Sequence, residues 1–515
     1  MENSGKRIKR SLLRIIFGRT GFTAIAIIVQ LLIILFYFSY LTDYSEAVTA
    51  ILYLLSFGVL VHIISTDENP SYKIAWLLPV AIFPVFGAML FLFFKLQPTV
   101  ALTNKILRQN IAVSAPCLKQ DKSVRTAFEK QWKNARGFVN YMNKYAGYPV
   151  CANTEVKYFA LGDDLIPALL EELEKAEKYI FMEYFIIDRG EIWGKVLEVL
   201  KRKAAQGVEV RLMYDGLCSV AMLPHNYPRM LADEEIACRV FNPIRPFLSS
   251  AQNNRDHRKI CVIDGNTAFT GGINLADEYA NIIDRFGHWK DTAVMLKGDA
   301  VNNLTMMFLQ MWHISDGISD YDRYMSKPRN INAPGFVLPY GDSPLDNEPV
   351  GKTVYMHILN TANNYVHIMT PYLILDYEME QCLIAAAKRG VDVTLILPHK
   401  PDKLYAFYLA HAHYPALLKA GVKIYEYSPG FVHAKNYTSD DKKAVVGTIN
   451  MDFRSLYLHW ECACYMYDTP CVKDIEQDFK DTLKQCQRIT EADLKNFSLF
   501  EYVFGKILSI FAPLM

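Results

Sequence analysis

Apolar residues fall in three long blocks at the start of the chain and in short alternating bursts after it. Residues 21–41, GFTAIAIIVQLLIILFYFSYL, carry no charge. As a helix they would span roughly 31 Å, enough for a bilayer core. Residues 47–64, AVTAILYLLSFGVLVHII, form a second run, and residues 74–94, IAWLLPVAIFPVFGAMLFLFF, form a third, interrupted by Pro79, Pro84 and Gly87. Three nearly adjacent runs predict a transmembrane region. The first is too long for a signal-peptide core and lacks a small-residue cleavage site. Lys6, Arg7, Lys9, Arg10, Arg14 and Arg19 precede it, which predicts a cytoplasmic N-terminus. Two full crossings return the chain to the cytoplasm, whereas three deliver it outside. The prolines of the third run predict a kinked or re-entrant hairpin, which keeps the remainder cytoplasmic.

Beyond the membrane region the pattern repeats. AEKYIFMEYFIID (176–188) is matched by ANNYVHIMTPYLILD (362–376), and LKRKAAQGVEVRLMYDG (200–216) by IAAAKRGVDVTLILPHK (384–400). Each copy reads as strand, amphipathic helix ending at Gly207 or Gly390, then strand. That order predicts an α/β fold of two half-domains, with mixed sheets flanked by helices. The expected division is 1–96 membrane region, 97–150 connecting segment, 151–330 and 331–490 half-domains, and 491–515 an apolar C-terminal helix. That last helix either lies in the membrane interface or covers the second half-domain.

A second repetition carries chemistry. HRKICVIDGNTAFTGGIN (257–274) and HAKNYTSDDKKAVVGTIN (433–450) share His, Lys two residues on, then Asp, Gly and Asn at fixed distances. Each reads as a hairpin. Residues two apart on a strand face one side, so His257 joins Lys259, and His433 joins Lys435. After the turn, Asn274 and Asn450 return beside the lysines. Two half-domains packed face to face would merge both motifs into one site. Two ammonium groups and two amides between two imidazoles suit a phosphodiester. One imidazole can attack phosphorus while the other protonates the leaving alcohol. Asp264 and Asp440 complete the motif and are expected to brace the hairpin turns by hydrogen bonding.

Composition narrows the choice. Formal net charge is +1, which does not promise the basic groove of a nucleic-acid binder. None of the ten cysteines forms a C-x-x-C pair, and no carboxylate cluster implies a metal, so neither a metal nor another cofactor is expected.

The paired motifs resemble the HKD signatures of the phospholipase D superfamily. DHRKICVIDGNTAFTGGINLADEY and FVHAKNYTSDDKKAVVGTINMDFRSLYLHWE, together with NPSYKIAWLL (69–78), are similar to segments of bacterial cardiolipin synthases. Gly272 departs from the serine that many members carry there; Thr448 holds that place in the second copy. The resemblance implies two phospholipase D-like half-domains behind a transmembrane region. It implies His257 as the residue that becomes phosphatidylated, with His433 as general acid and then base. It also implies an acidic residue holding each ring: Glu461 for His433 and Asp291 for His257. The expected reaction joins two phosphatidylglycerols into cardiolipin and glycerol at the membrane, with no nucleic-acid partner; oligomers are compatible with the sequence. The alternatives are a hydrolytic phospholipase D, a nucleic-acid phosphodiesterase and an inactive membrane scaffold.

Overall fold

Tyr179–Tyr184 is buried at every position, as a central strand covered on both faces must be. It is one of eight strands in the first half: β1 (Thr154–Phe159), β2 (Tyr179–Tyr184), β3 (Glu209–Asp215), β4 (Ile236–Phe241), β5 (Lys259–Ile263), β6 (Thr267–Gly271), β7 (His288–Lys290) and β8 (Ala293–Gly298). The second half supplies β9 (Phe336–Asp342), β10 (Tyr365–Met369), β11 (Asp392–Pro398), β12 (Lys423–Tyr427), β13 (Gly430–Val432), β14 (Asn436–Ser439), β15 (Lys443–Gly447), β16 (Glu461–Tyr467) and β17 (Cys486–Ile489). This computed structural model describes residues 46–515 except 96–97, 134, 245–249, 315–319, 327–330, 497 and 515, together with Val29, Leu32 and Phe36.

The sheets repeat each other strand for strand. The first runs β1-β8-β6-β5-β2-β3-β4; the second, read from its other edge, runs β9-β16-β15-β14-β10-β11-β12 and adds β17. The motif hairpins β5–β6 and β14–β15 sit antiparallel at the middle of each sheet, beside β2 and β10. The repeat helices, Glu191–Ala205 and Tyr377–Lys388, are followed by Gly207 (φ 86°) and Gly390 (φ 90°). Both occupy left-handed backbone that only glycine adopts cheaply. One continuous core joins the halves, running from Phe181 and Ile260 through the buried helix Val301–Trp312 to Val366 and Val445. A parallel pairing of β7 with β13 also ties them directly.

Before the sheets come α1 (Glu46–Ser65), α2 (Pro70–Ile82) and α3 (Pro84–Lys95). Within α1, the window Val48–Ser65 has mean hydropathy 2.2; among the described residues it alone is long and apolar enough to cross a membrane. The third apolar run divides at Phe83, which leaves helical geometry (φ −126°, ψ 75°) ahead of Pro84. Gly87 then lies against the Pro79 backbone, where a Cβ would meet the carbonyl oxygen at 2.5 Å. Apart from Val29, Leu32 and Phe36, the first apolar run and the six basic residues before it lie outside the described residues.

Asn69 caps α2, accepting from the Ser71 N–H at 2.9 Å. Its amide also donates to the Tyr457 hydroxyl (2.8 Å) and to Asp376 (3.2 Å), fastening the N-terminal helices to the second half. The chain ends in α4 (Leu499–Phe511), which packs on the helix Leu404–Lys419 and against α2.

Candidate active site

Histidines, lysines and asparagines of both motifs converge where the two hairpins meet, and all six are buried. Each histidine is gripped by the opposite half. The His257 N–H donates to the Trp460 carbonyl (2.9 Å), and its Nδ1 meets both carboxylate oxygens of Glu461 at 3.0 Å. The His433 N–H donates to the Lys290 carbonyl (2.7 Å), and its Nδ1 meets Asp291 Oδ2 at 2.6 Å. This reverses the pairing expected from sequence, in which Asp291 served His257 and Glu461 served His433. The physical reason lies in the topology. The segment entering β16 runs beside residue 256 of the first half, through a parallel bridge between Asp256 and Trp460, while β7 runs beside β13 of the second. The acid that follows each motif is therefore delivered to the other motif's ring. With Nδ1 bonded to a carboxylate, Nε2 of each ring remains for chemistry.

The lysines point inward as period-two spacing requires. Lys259 Nζ donates to the His257 carbonyl at 2.5 Å, and Lys435 Nζ donates to the His433 carbonyl. Asn274 accepts from the Ile186 N–H (3.0 Å) while its Nδ2 lacks a partner, as does Oδ1 of Asn450. Such unsatisfied buried groups are costly unless a ligand meets them. Burial pushes both lysines and both histidines toward neutrality, and neighbouring cations add to it for the histidines and Lys435. Lys259 falls to about 8 and Lys435 to about 7, both chiefly through desolvation. His433 drops to about 4 by burial and then Lys435, against the pull of Asp291. His257 drops well below its ordinary value by burial, then Lys259 and Lys435. An anion bound between the lysines would reverse these shifts.

Asp264 and Asp440 do not join this cluster. Each lies at the hairpin turn, roughly 16 Å along its strand from the lysine, with φ of 53° and 56°. Asp264 accepts the N–H groups of Glu177, Lys178 and Tyr179; Asp440 accepts those of Asn363, Asn364 and Tyr365. They clamp each hairpin to the start of the neighbouring strand.

Gly272 and Thr448 differ for a visible reason. The Thr448 hydroxyl donates to Glu461 and accepts from the Cys462 N–H at 3.0 Å. At 272 the Asp291 carboxyl comes so close that a Cβ would overlap it. The carboxyl finds its own donor in the Thr292 N–H at 2.8 Å.

Sequence reasoning passed over His459. It is buried, its ring lies 5.5 Å from that of His257, its Nδ1 stands 3.7 Å from Glu461 Oε1, and its Nε2 has no hydrogen-bond partner. Burial holds its pKa at about 4. The signal was its position two residues before Glu461, which puts both on one side of the extended chain. Donor atoms of His257, His459 and Glu461 lie within 4.8 Å of one another. A cation there would have to displace the His257–Glu461 bonds beside two lysines.

The family model described as "Cardiolipin synthase, PLD-like domain" matches residues 169–312 and 355–483, and one described as "Phospholipase_D-nuclease N-terminal" matches 49–95. An uncharacterized protein from Streptococcus mutans serotype c is 46% identical over 89% of this chain and 100% of its own length. The cardiolipin synthase of Geobacillus sp. (strain WCH70) is 32% identical over 87% of this chain and 90% of its own, and cardiolipin synthase 2 of Bacillus cereus is 32% identical over 87% and 88%. Among solved structures, phosphatidylserine synthase from Haemophilus influenzae Rd KW20 aligns with a TM-score of 0.54 at 12% identity, covering 70% of this chain and 93% of that one. At that identity the likeness speaks for the fold. Paired HKD hairpins on twinned sheets, the domain match across more than half of the chain, and relatives aligned along nearly their whole length agree: this chain belongs to the cardiolipin synthase family of phospholipase D-like enzymes.

Proposed function

We propose that the enzyme transfers a phosphatidyl group from one phosphatidylglycerol to another, giving cardiolipin and glycerol. The observation that carries this reading is the pair of imidazoles, each held at Nδ1 by a buried carboxylate, over two buried lysines. In the first step Nε2 of His257 attacks phosphorus. An N–P bond forms, the P–O bond to glycerol breaks, and His433 gives its proton to the departing oxygen. In the second step a hydroxyl of another phosphatidylglycerol attacks the same phosphorus, His433 takes that proton, and the N–P bond breaks. Lys259, Lys435 and the asparagine amides hold the non-bridging oxygens as charge builds. His459, whose Nδ1 faces Glu461 at 3.7 Å and whose Nε2 has no hydrogen-bond partner, supplies a further donor to those oxygens. Burial of the site favours a lipid alcohol over water as acceptor.

In this reading residues 1–96 anchor the chain in the cell membrane by more than one pass, and the catalytic halves, 151–330 and 331–490, face the cytoplasm. Segment 97–150 connects them. Incubation of the purified full-length enzyme with phosphatidylglycerol alone tests the chemistry. Cardiolipin with equimolar glycerol is expected; phosphatidic acid instead would make it a hydrolase. Protease treatment of sealed, right-side-out cells tests the orientation, since an exposed catalytic part would be cut.

A further inference from the structure

Among the described residues of the sheets and their helices, large exposed apolar side chains are scattered singly or, at Ile282–Ile283 and Leu404–Tyr405, as adjacent pairs. The final helix is different. On α4, Phe500 is 68% exposed, Val503 46%, Ile507 51% and Ile510 36%. Their spacing of three and four residues makes one bare stripe along the helix. The opposite side is already used. Gly505 lies so close to the Tyr408 carbonyl that no side chain would fit, Phe504 meets the Tyr408 ring edge-on at 6.1 Å, and Leu508 joins the buried Leu409, Phe453 and Ala512.

The neighbours of the stripe tell what covers it. α4 ends in the turn Ala512–Leu514, which packs on α2, and Tyr72 of α2 joins the same apolar cluster as Leu508. α2, α3 and the break between them expose Ile74, Ile82, Phe83 and Phe93, and the two helices pack on α1, the helix with the length of a bilayer crossing. The bare stripe therefore continues the apolar surface of the N-terminal helices. Tyr502 and Lys506 flank it, with the ammonium 5.8 Å from the ring centre. An aromatic ring and a long basic chain suit the headgroup layer. Beside Ala512 a cleft opens, lined by Lys403, Asp452, Phe453 and Arg454. Asp452 lies two residues beyond Asn450 of the second motif.

We propose that α4 is an interfacial membrane helix: its Phe500–Val503–Ile507–Ile510 stripe lies in the headgroup–acyl boundary next to α2 and holds the cleft mouth at the level of the lipids. The occupant of the stripe is bilayer lipid. This rests on the membrane part of the functional reading and not on the reaction. It goes further, because it gives the catalytic halves a second contact with the bilayer, at the opposite end of the chain from α1.

The test places Val503→Trp and Ile507→Trp separately in the full-length protein, reconstituted in vesicles of phosphatidylcholine and phosphatidylglycerol. The emission of the added tryptophan is taken by difference from the parent, with and without brominated phospholipid. Blue-shifted emission, quenched about twofold or more beyond a Lys480→Trp control, is the expected result. Red, unquenched emission would mean that the stripe faces water. Blue emission that bromine does not reach would mean that protein, such as a second copy of the chain, covers it. Either would overturn the proposal. Should both variants misfold, Phe500→Trp repeats the measurement with an aromatic exchange at the most exposed position. No turnover is read, so loss of this proposal leaves the transferase reading standing, and the reverse.

Discussion

Lys435 illustrates how burial tunes the site. Burial lowers it to about 7 and Lys259 to about 8, so each gives up its proton more readily than an exposed lysine. Removing either should cost a few kcal/mol of transition-state stabilisation, or about 10²–10³-fold in kcat/KM for Lys259→Ala and Lys435→Ala. Because a buried charge is lost, the unfolding midpoint should hold or rise, and thermal denaturation alongside kinetics checks both. The pH dependence follows in sign. The proposed mechanism needs His433 and both lysines protonated, and burial depresses all three. The free enzyme therefore loses the competent form as pH rises, and more steeply above about 7. A kcat/KM that climbed between about pH 6 and pH 8 would contradict these roles. His459 gives a third test. His459→Phe keeps a flat ring and removes a buried imidazole whose Nε2 is unpartnered and whose Nδ1 reaches Glu461 only at 3.7 Å, so stability should change little while turnover falls about tenfold or more. Wild-type turnover in that variant would take His459 out of the site.

At the scale of elements, what the sequence made legible was whatever depends on short spacing. Period two put His257 with Lys259, and glycine marked where the repeat helices end at Gly207 and Gly390. The hairpin turns were legible as well, and Asp264 and Asp440 act there on backbone. Each carboxylate accepts three N–H groups leading into the neighbouring strand. Asp264→Ala or Asp440→Ala should lower stability by about 1–3 kcal/mol while the folded fraction keeps its kcat. Loss of kcat at full folded population would instead place these groups in the chemistry. Two features depended on contacts far along the chain and left no local mark. One is β17, which returns from the C-terminus to pair with β12. The other is the fastening of α2 to the second half through Asn69.

For the whole molecule, the decisive fact is the exchange of carboxylates between halves, which no spacing within one motif could reveal. Glu461 belongs to the second half but holds His257, and Asp291 belongs to the first but holds His433. Changing each acid to its amide should therefore copy the defect of the histidine in the other half. Glu461→Gln leaves Nδ1 of His257 without its carboxylate and weakens the nucleophile, so the adduct should form about 10²–10⁴-fold more slowly. Asp291→Asn leaves attack intact but weakens the acid and base. A phosphatidyl group should then accumulate on His257, as it should in His433→Ala. Peptide mass spectrometry of lipid-incubated variants, kept away from acid, reads both. Adduct accumulation in Glu461→Gln and its absence in Asp291→Asn would mean that each acid serves the histidine of its own half. An adduct on His433 in His257→Ala would exchange the two histidine roles and leave the crossed pairing in place. Either half folded alone would keep its lysine and its histidine but lack the carboxylate that orients the ring. In the proposed mechanism, catalysis is therefore a property of the joined pair.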